Sequence, residues 1–119
     1  MPDDGPRDAR ASAPRLSRSS EIQRVLAGGK RFHGHRLTAC VATGTEGPRA
    51  TWVAGRRVGG AVVRNRAKRL LREGWTRIWP GVRGGWDVVL VARPEIRGAS
   101  SDEVTEEVRM VLGRAGVLG

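Results

Sequence analysis

The sequence predicts an α+β fold, a small α/β sandwich in which three helices pack on a mixed sheet of about four strands. Helix-like and strand-like segments follow one another in the order helix, strands, helix, strand, helix. The run from Trp86 to Pro94 is apolar nearly throughout, which is typical of a central strand. The only long connection between two strand-like segments is itself a helix. Together these observations predict one sheet with helices packed on it.

The chain of 119 residues has the length of one domain. Residues 1–14 are polar and rich in aspartate, so we expect a disordered N-terminal extension, followed by a single folded domain over residues 15–119. Cys40 is the only cysteine, so no intrachain disulfide can form. No apolar run could span a membrane, and the N-terminus lacks the apolar core of a signal peptide. We therefore expect a cytoplasmic protein.

The first elements are a short helix and three strands. In SSEIQRVLAGG, apolar residues recur at helical spacing after a serine cap, and two glycines end the predicted helix. The runs RLTACVATG (36–44) and RATWVAG (49–55) predict strands, and TEGP between them predicts a hairpin connection. The short run KRFHG before them adds a possible fourth strand to the sheet.

The second helix, predicted from Ala61 to Trp79, is amphipathic and strongly basic. Its predicted buried face consists of Val63, Ala67, Leu70, Leu71, Gly74, Trp75 and Ile78. At about 100° per residue, the opposite face carries Asn65, Lys68, Arg69 and Arg72, with Arg64 and Arg66 on its flanks. Only Glu73 lies among these cations as a carboxylate partner, for Arg69 or Arg77.

The last helix follows the predicted central strand. Ser100 and Glu103 form a capping box, and apolar residues then recur at helical spacing. Its remaining carboxylates, among them Glu107, suit the helix dipole and a solvated face.

The net charge of +10 and a sequence pI near 11.6 favour a polyanionic partner, nucleic acid first and an anionic membrane second. The cations on the second helix repel one another in the free protein, and phosphates would remove that repulsion. The preceding loop AGRRVGG adds Arg56 and Arg57, and its glycines allow backbone N–H groups to approach an anion. The loop lacks the Lys-Ser/Thr pair of a P-loop.

The stretch RRVGGAVVRNRAKRLLRE resembles the signature of the bacterial ribonuclease P protein subunit. Three segments of the motif match: Val-Gly-x-Ala-Val at its start, Arg-Asn-Arg at its centre and the Lys-Arg-Leu-Leu-Arg that follows. RLSRSSEIQRVLAGGKRFHG, WDVVLVARP and the acidic-capped last helix agree in order, so the resemblance covers about Arg15 to Gly116.

The resemblance implies a left-handed βαβ crossover through the basic helix and a role in removing the 5′ leader of precursor tRNA. In that family a catalytic RNA hydrolyses the phosphodiester with bound Mg²⁺, while the protein binds the RNA subunit and the leader and supports catalysis. The resemblance thus implies the catalytic RNA and precursor tRNA as partners, with Mg²⁺ bound mainly by the RNA subunit and the substrate. No obligate protein partner is inferred. The RNA-binding residues expected from the motif and the loop are Arg56, Arg57, Arg64, Asn65, Arg66, Lys68, Arg69 and Arg72.

The family places the single-stranded leader in a cleft between the sheet and the first helix, where aromatic side chains stack on bases. At the matching positions this sequence has Ile22, Leu26 and Cys40, with Phe32 and Trp52 nearby and a place in the core as the alternative for Trp52. Because the three matching residues are not aromatic, we expect leader binding to be weaker, or to depend more on arginine stacking and backbone contacts.

A catalytic centre within the chain is not expected. Its carboxylates lie mainly in the N-terminal extension and the last helix, and His33 and His35 alternate sides on a strand, so neither set predicts a metal or acid–base site. Two alternatives stay open: a general RNA-binding or ribosomal-type protein, and a helix-turn-helix DNA-binding protein. The second lacks the short helix that should precede the basic one. A membrane-surface role has no second anchor to support it.

Overall fold

The computed structural model describes residues 15–44 and 48–118. The predicted α+β architecture is confirmed, with three helices and one sheet of four strands. The helices are α1 (Ser19–Gly28), α2 (Ala61–Ile78) and α3 (Ser101–Arg114). The strands are β1 (Lys30–His33), β2 (Leu37–Thr43), β3 (Arg49–Val53) and β4 (Trp86–Ala92). The predicted N-terminal extension lies outside the described residues.

The sheet has the strand order β1-β2-β4-β3. Strand β4 pairs antiparallel with β2 and parallel with β3, so the sheet is mixed and β4 is internal, as its apolar sequence predicts. Helix α2 connects the parallel neighbours β3 and β4, which makes this connection a βαβ crossover. The left hand of the crossover stays a prediction.

The predicted hairpin between the second and third strands is wrong. Strand β4 lies between β2 and β3, so these two do not pair although they are neighbours in the chain. The reason is burial: Val88, Val89 and Leu90 of β4 are fully covered on both faces of the sheet, which a central position provides. Strands β2 and β3 run in opposite directions without pairing, and residues 45–47 of TEGP lie outside the described residues.

Apolar cores lie on both faces of the sheet. Helices α2 and α3 cover one face, over Ala39, Val88 and Leu90. Helix α1 covers part of the other face, where Val25 packs with Leu16, Cys40 and Val89. The predicted serine cap of α1 is wrong: the N-cap is Arg18, and Ser19 and Ser20 already belong to the first turn.

Two buried carboxylates connect the helices to the sheet. Asp87 accepts hydrogen bonds from Arg24 of α1 and Arg49 of β3, and Arg49 also pairs with Glu21 of α1 at 3.2 Å. This ion-pair cluster fixes α1 at one end of the sheet.

The second buried carboxylate, Glu107, corrects a prediction, because it is buried and not on a solvated face. It accepts hydrogen bonds from the backbone N–H groups of Arg36 (2.6 Å) and Leu37 (3.3 Å) and pairs with the Arg36 side chain. The capping box of α3 is confirmed, and the hydrogen bond from the backbone N–H of Ser100 lowers the pKa of Glu103.

Candidate nucleic-acid interface

The apolar stripe of α2 is buried, as predicted, and it packs against α3 as well as against the sheet. Six of its seven residues are buried, and Val63 at the first turn is partly buried. Gly74 lets α2 and α3 pack closely, since a Cβ there would lie 3.0 Å from Cγ2 of Val108 in α3. The stripe therefore fixes which face of α2 points to solvent.

The outer face of α2 carries cations that have no partner among the described residues. Within the part of the chain that the structure describes, Lys68, Arg69 and Arg72 make no hydrogen bond or ion pair to another residue. The predicted pairing of Glu73 is wrong: its carboxylate accepts a hydrogen bond from the hydroxyl of Ser101 at 2.8 Å. Arg77 instead pairs with Asp102 of α3 at 3.0 Å. Among the residues that the structure describes, no carboxylate therefore neutralises this cationic face.

Four of the predicted RNA-binding residues line one pocket of about 360 Å³. These are Asn65, Lys68, Arg69 and Arg72, and the lining is completed by Arg15 and Trp52. Neither Arg15 nor Trp52 was expected at this surface, because their placement depends on strand pairing.

Arg64 and Arg66, on the flanks of the outer face, donate hydrogen bonds to backbone carbonyl oxygens of the protein. Arg66 donates a hydrogen bond from Nη2 to the carbonyl oxygen of Ala99 at 2.8 Å, and Nη1 of Arg64 lies 3.4 Å from the carbonyl oxygen of Gly59. Ala99 is buried just before α3, so Arg66 also holds the connection into that helix.

Replacing Arg66 with alanine is expected to lower thermal stability. The change leaves the carbonyl oxygen of Ala99 without its charged donor, at a cost of about 1 kcal/mol, or roughly 4–8 °C in Tm. Thermal unfolding followed by circular dichroism measures the shift, with Arg69→Ala as the matched control that should leave Tm unchanged. Equal Tm values for the two variants would show that Arg66 has no structural role.

The loop before α2 forms a second cationic surface. Arg56 and Arg57 are exposed and line a pocket of about 580 Å³ together with His33, Thr38 and Arg93. Nδ1 of His33 lies 3.1 Å from the hydroxyl of Thr38. Sequence reasoning missed Arg93, although its place directly after the central strand was a usable signal.

A glycine shapes the junction between this loop and α2. Gly59 has φ +151°, and a Cβ there would lie 2.9 Å from the Val63 side chain. The N-cap of α2 is Gly60, which supplies no side-chain cap, and the first turn carries no acidic residue. The N-terminal N–H groups of α2 therefore suit an anion.

The four residues predicted for a leader cleft do not form one surface. Ile22 and Leu26 pack against Cys40, which is itself fully buried, and burial raises the pKa of its thiol. Phe32 lies on the opposite face of the sheet, because it pairs with Ala39 whereas Cys40 pairs with Arg31. Only Ile22 and Leu26 keep partial exposure on the predicted face.

The element that precedes α2 is strand β3, so the helix-turn-helix alternative has no first helix to support it. Among the residues described, no helix is both long and apolar enough to cross a membrane.

Comparisons with known proteins agree on one family. The family model for ribonuclease P matches residues 11–116. The ribonuclease P protein component of Dehalococcoides mccartyi is 38% identical over 105 residues, which cover 87% of this chain and 86% of the relative. That of Acidothermus cellulolyticus is 38% identical over 103 residues, covering 84% and 86%.

Solved structures share the fold. The RNase P protein of Staphylococcus aureus matches with a TM-score of 0.77 at 20% identity, covering 91% of this chain and all of that one. The RNase P protein of Thermotoga maritima matches with a TM-score of 0.74 at 24% identity, covering 84% and 96%. By its sequence matches, the chain belongs to the ribonuclease P protein family, whose members are protein components of a tRNA-processing endoribonuclease.

Proposed function

We propose that the chain binds the catalytic RNA of ribonuclease P through the outer face of α2 and the loop before it, and so assists removal of the 5′ leader from precursor tRNA. The observation that carries this proposal is the set of cations on α2 that no described residue pairs with. A cationic face without neutralising carboxylates gains most from phosphates, which remove its repulsion and release counterions from the RNA.

The proposed interface combines the outer face of α2 with the adjoining loop. Its residues are Arg56, Arg57, Arg64, Asn65, Arg66, Lys68, Arg69 and Arg72. Residues 15–119 would then act as a single RNA-binding domain, working in the cytoplasm, where precursor tRNA is processed.

For the leader, we propose a path along the sheet face beside Ile22 and Leu26 toward the pocket at Arg56 and Arg57. Single-stranded RNA needs cations that follow its backbone and planar groups for its bases. The arginines of this pocket supply both, since guanidinium planes stack on bases. Cys40 is buried and Phe32 faces the other way, so neither enters this path.

We assign Mg²⁺ in this proposal to the RNA and the substrate. Within residues 15–44 and 48–118, no group of three or more histidine, cysteine, aspartate or glutamate side chains is placed to hold a metal ion. The buried carboxylates Asp87 and Glu107 are each paired with arginines. The proposed contribution of the protein is therefore charge and positioning, with no described residue assigned as a Mg²⁺ ligand.

Reconstitution tests the proposal. The purified protein is mixed with a bacterial ribonuclease P RNA and a precursor tRNA at low millimolar Mg²⁺, with RNA-alone and protein-alone controls. We expect cleavage at the mature 5′ end to be faster with both components than with either alone. Tight RNA binding without stimulation would instead favour a general RNA-binding protein, and cleavage by the protein alone would place a catalytic centre in this chain.

A further inference from the structure

The pocket beside α2 has an unusual lining for a protein surface. Arg15, Lys68, Arg69 and Arg72 contribute four cations, Asn65 contributes an amide, and Trp52 contributes an indole; no carboxylate is among these lining residues. Its volume of about 360 Å³ falls in the range of small-ligand sites.

Backbone pairing fixes Arg15 at this pocket. Arg15 forms a parallel bridge with Ala50 of β3, and the N–H of the next residue, Leu16, donates to the carbonyl oxygen of Ala50 at 2.8 Å. Leu16 is fully buried. The segment therefore extends the sheet beyond β3 and brings the Arg15 side chain to the edge where α2 passes.

Trp52 orients the Arg15 guanidinium. The Cζ atom of Arg15 lies 5.1 Å from the centroid of the Trp52 ring, within the range of a cation–π contact. Trp52 is partly buried and packs against the core below it. A stacked guanidinium keeps its N–H groups at the edge, free to donate to an anion, and this arrangement costs less entropy than an unrestrained arginine.

Four like charges around one pocket are unfavourable until an anion enters. A phosphate group meets this need, because it accepts several charge-assisted hydrogen bonds at once and guanidinium forks match its oxygens. Asn65 adds a neutral donor that would fit the same group or the ribose attached to it.

We propose that this pocket binds one backbone phosphate of RNA, with Arg15 as a binding residue and Trp52 as the residue that positions it. The inference rests on the proposed function and extends the RNA surface from α2 onto the sheet edge. Arg15, Lys68, Arg69 and Arg72 form the cationic site.

Salt-dependent binding of three single variants tests the assignment. Arg15→Ala removes the proposed contact, Arg69→Ala removes an α2 contact, and Arg114→Ala removes an exposed arginine of α3 that does not line the pocket. We expect Arg15→Ala to weaken RNA binding about tenfold and to reduce the slope of log K against log salt by about one, with Arg114→Ala near wild type.

Two variants of Trp52 test its positioning role. Trp52→Phe keeps an aromatic face and should bind like wild type, whereas Trp52→Leu should weaken binding in the same direction as Arg15→Ala. The double variant of Arg15→Ala with Trp52→Leu should be no worse than Arg15→Ala alone. A purely structural role for Trp52 would instead lower Tm without changing the salt slope.

Separate titrations with the catalytic RNA and with precursor tRNA distinguish the two sources of the phosphate. Weaker binding of Arg15→Ala to either RNA supports the site. If Arg15→Ala binds both RNAs like Arg114→Ala while Arg69→Ala is weakened, the inference is overturned and the proposed function stands. If Arg69→Ala also binds like Arg114→Ala, the proposed interface itself fails.

Discussion

Replacing Trp75 with aspartate is expected to abolish stable folding. Trp75 is 0% exposed and is one of the largest fully buried side chains, at the centre of the core between α2, α3 and the sheet. Removing a buried tryptophan side chain costs about 3–5 kcal/mol, and an unpaired buried carboxylate adds to that cost. A small domain has only about 5–15 kcal/mol of stability in total, so the loss is sufficient to unfold it.

The same helix offers a matched control for this experiment. Val62 is 83% exposed on α2, and Val62→Asp should therefore keep the native fold. Far-UV circular dichroism and thermal unfolding of the two variants give the comparison, and Trp75→Phe should lie between them. A cooperative transition for Trp75→Asp near the wild-type Tm would mean that the inner and outer faces of α2 are assigned wrongly.

Replacing Lys68, Arg69 and Arg72 together with alanine is expected to weaken binding to the catalytic RNA on the order of 100-fold near 0.1 M salt. Three lost phosphate contacts should also reduce the slope of log K against log salt by about two to three. The fold should persist, because these side chains have no described protein partner and alanine favours a helix.

The control variant removes three positive charges from a different part of the surface. Arg97, Arg109 and Arg114 are exposed and lie outside both cationic pockets, so their triple alanine variant should change affinity and salt slope far less. Filter binding or fluorescence anisotropy over a salt series measures both quantities. Equal losses in the two triple variants would show that net charge, and not the face of α2, determines binding.

The faces of α2 could be predicted because they depend only on helical period, which Val63, Leu70 and Ile78 display within one element. The strand order could not, since the position of β4 depends on which strand it pairs with. The sheet face of Phe32 could not be predicted for the same reason, because it follows from the register of β1 on β2.

The ion pairs of the buried carboxylates could not be predicted from the sequence either. Asp87 lies 63 residues from Arg24, and Glu107 lies 71 residues from Arg36, so no local pattern pairs them. Arg15 joins the cationic pocket through a bridge to Ala50, which is also a long-range contact. The charge and the motif of the interface were thus predictable, whereas its extent required the tertiary structure.

Because Cys40 is buried, the reactivity of its thiol reports local opening of the structure around it. Its thiol is the only one in the sequence, and it lies 0% exposed against Val25 of α1 and Leu16. A thiol reagent can reach the sulfur only when α1 or the Leu16 segment moves away from the sheet. The rate of alkylation therefore reports how often that layer opens, without any engineered label. Comparing that rate with and without bound RNA would show whether RNA binding restrains α1 on the sheet.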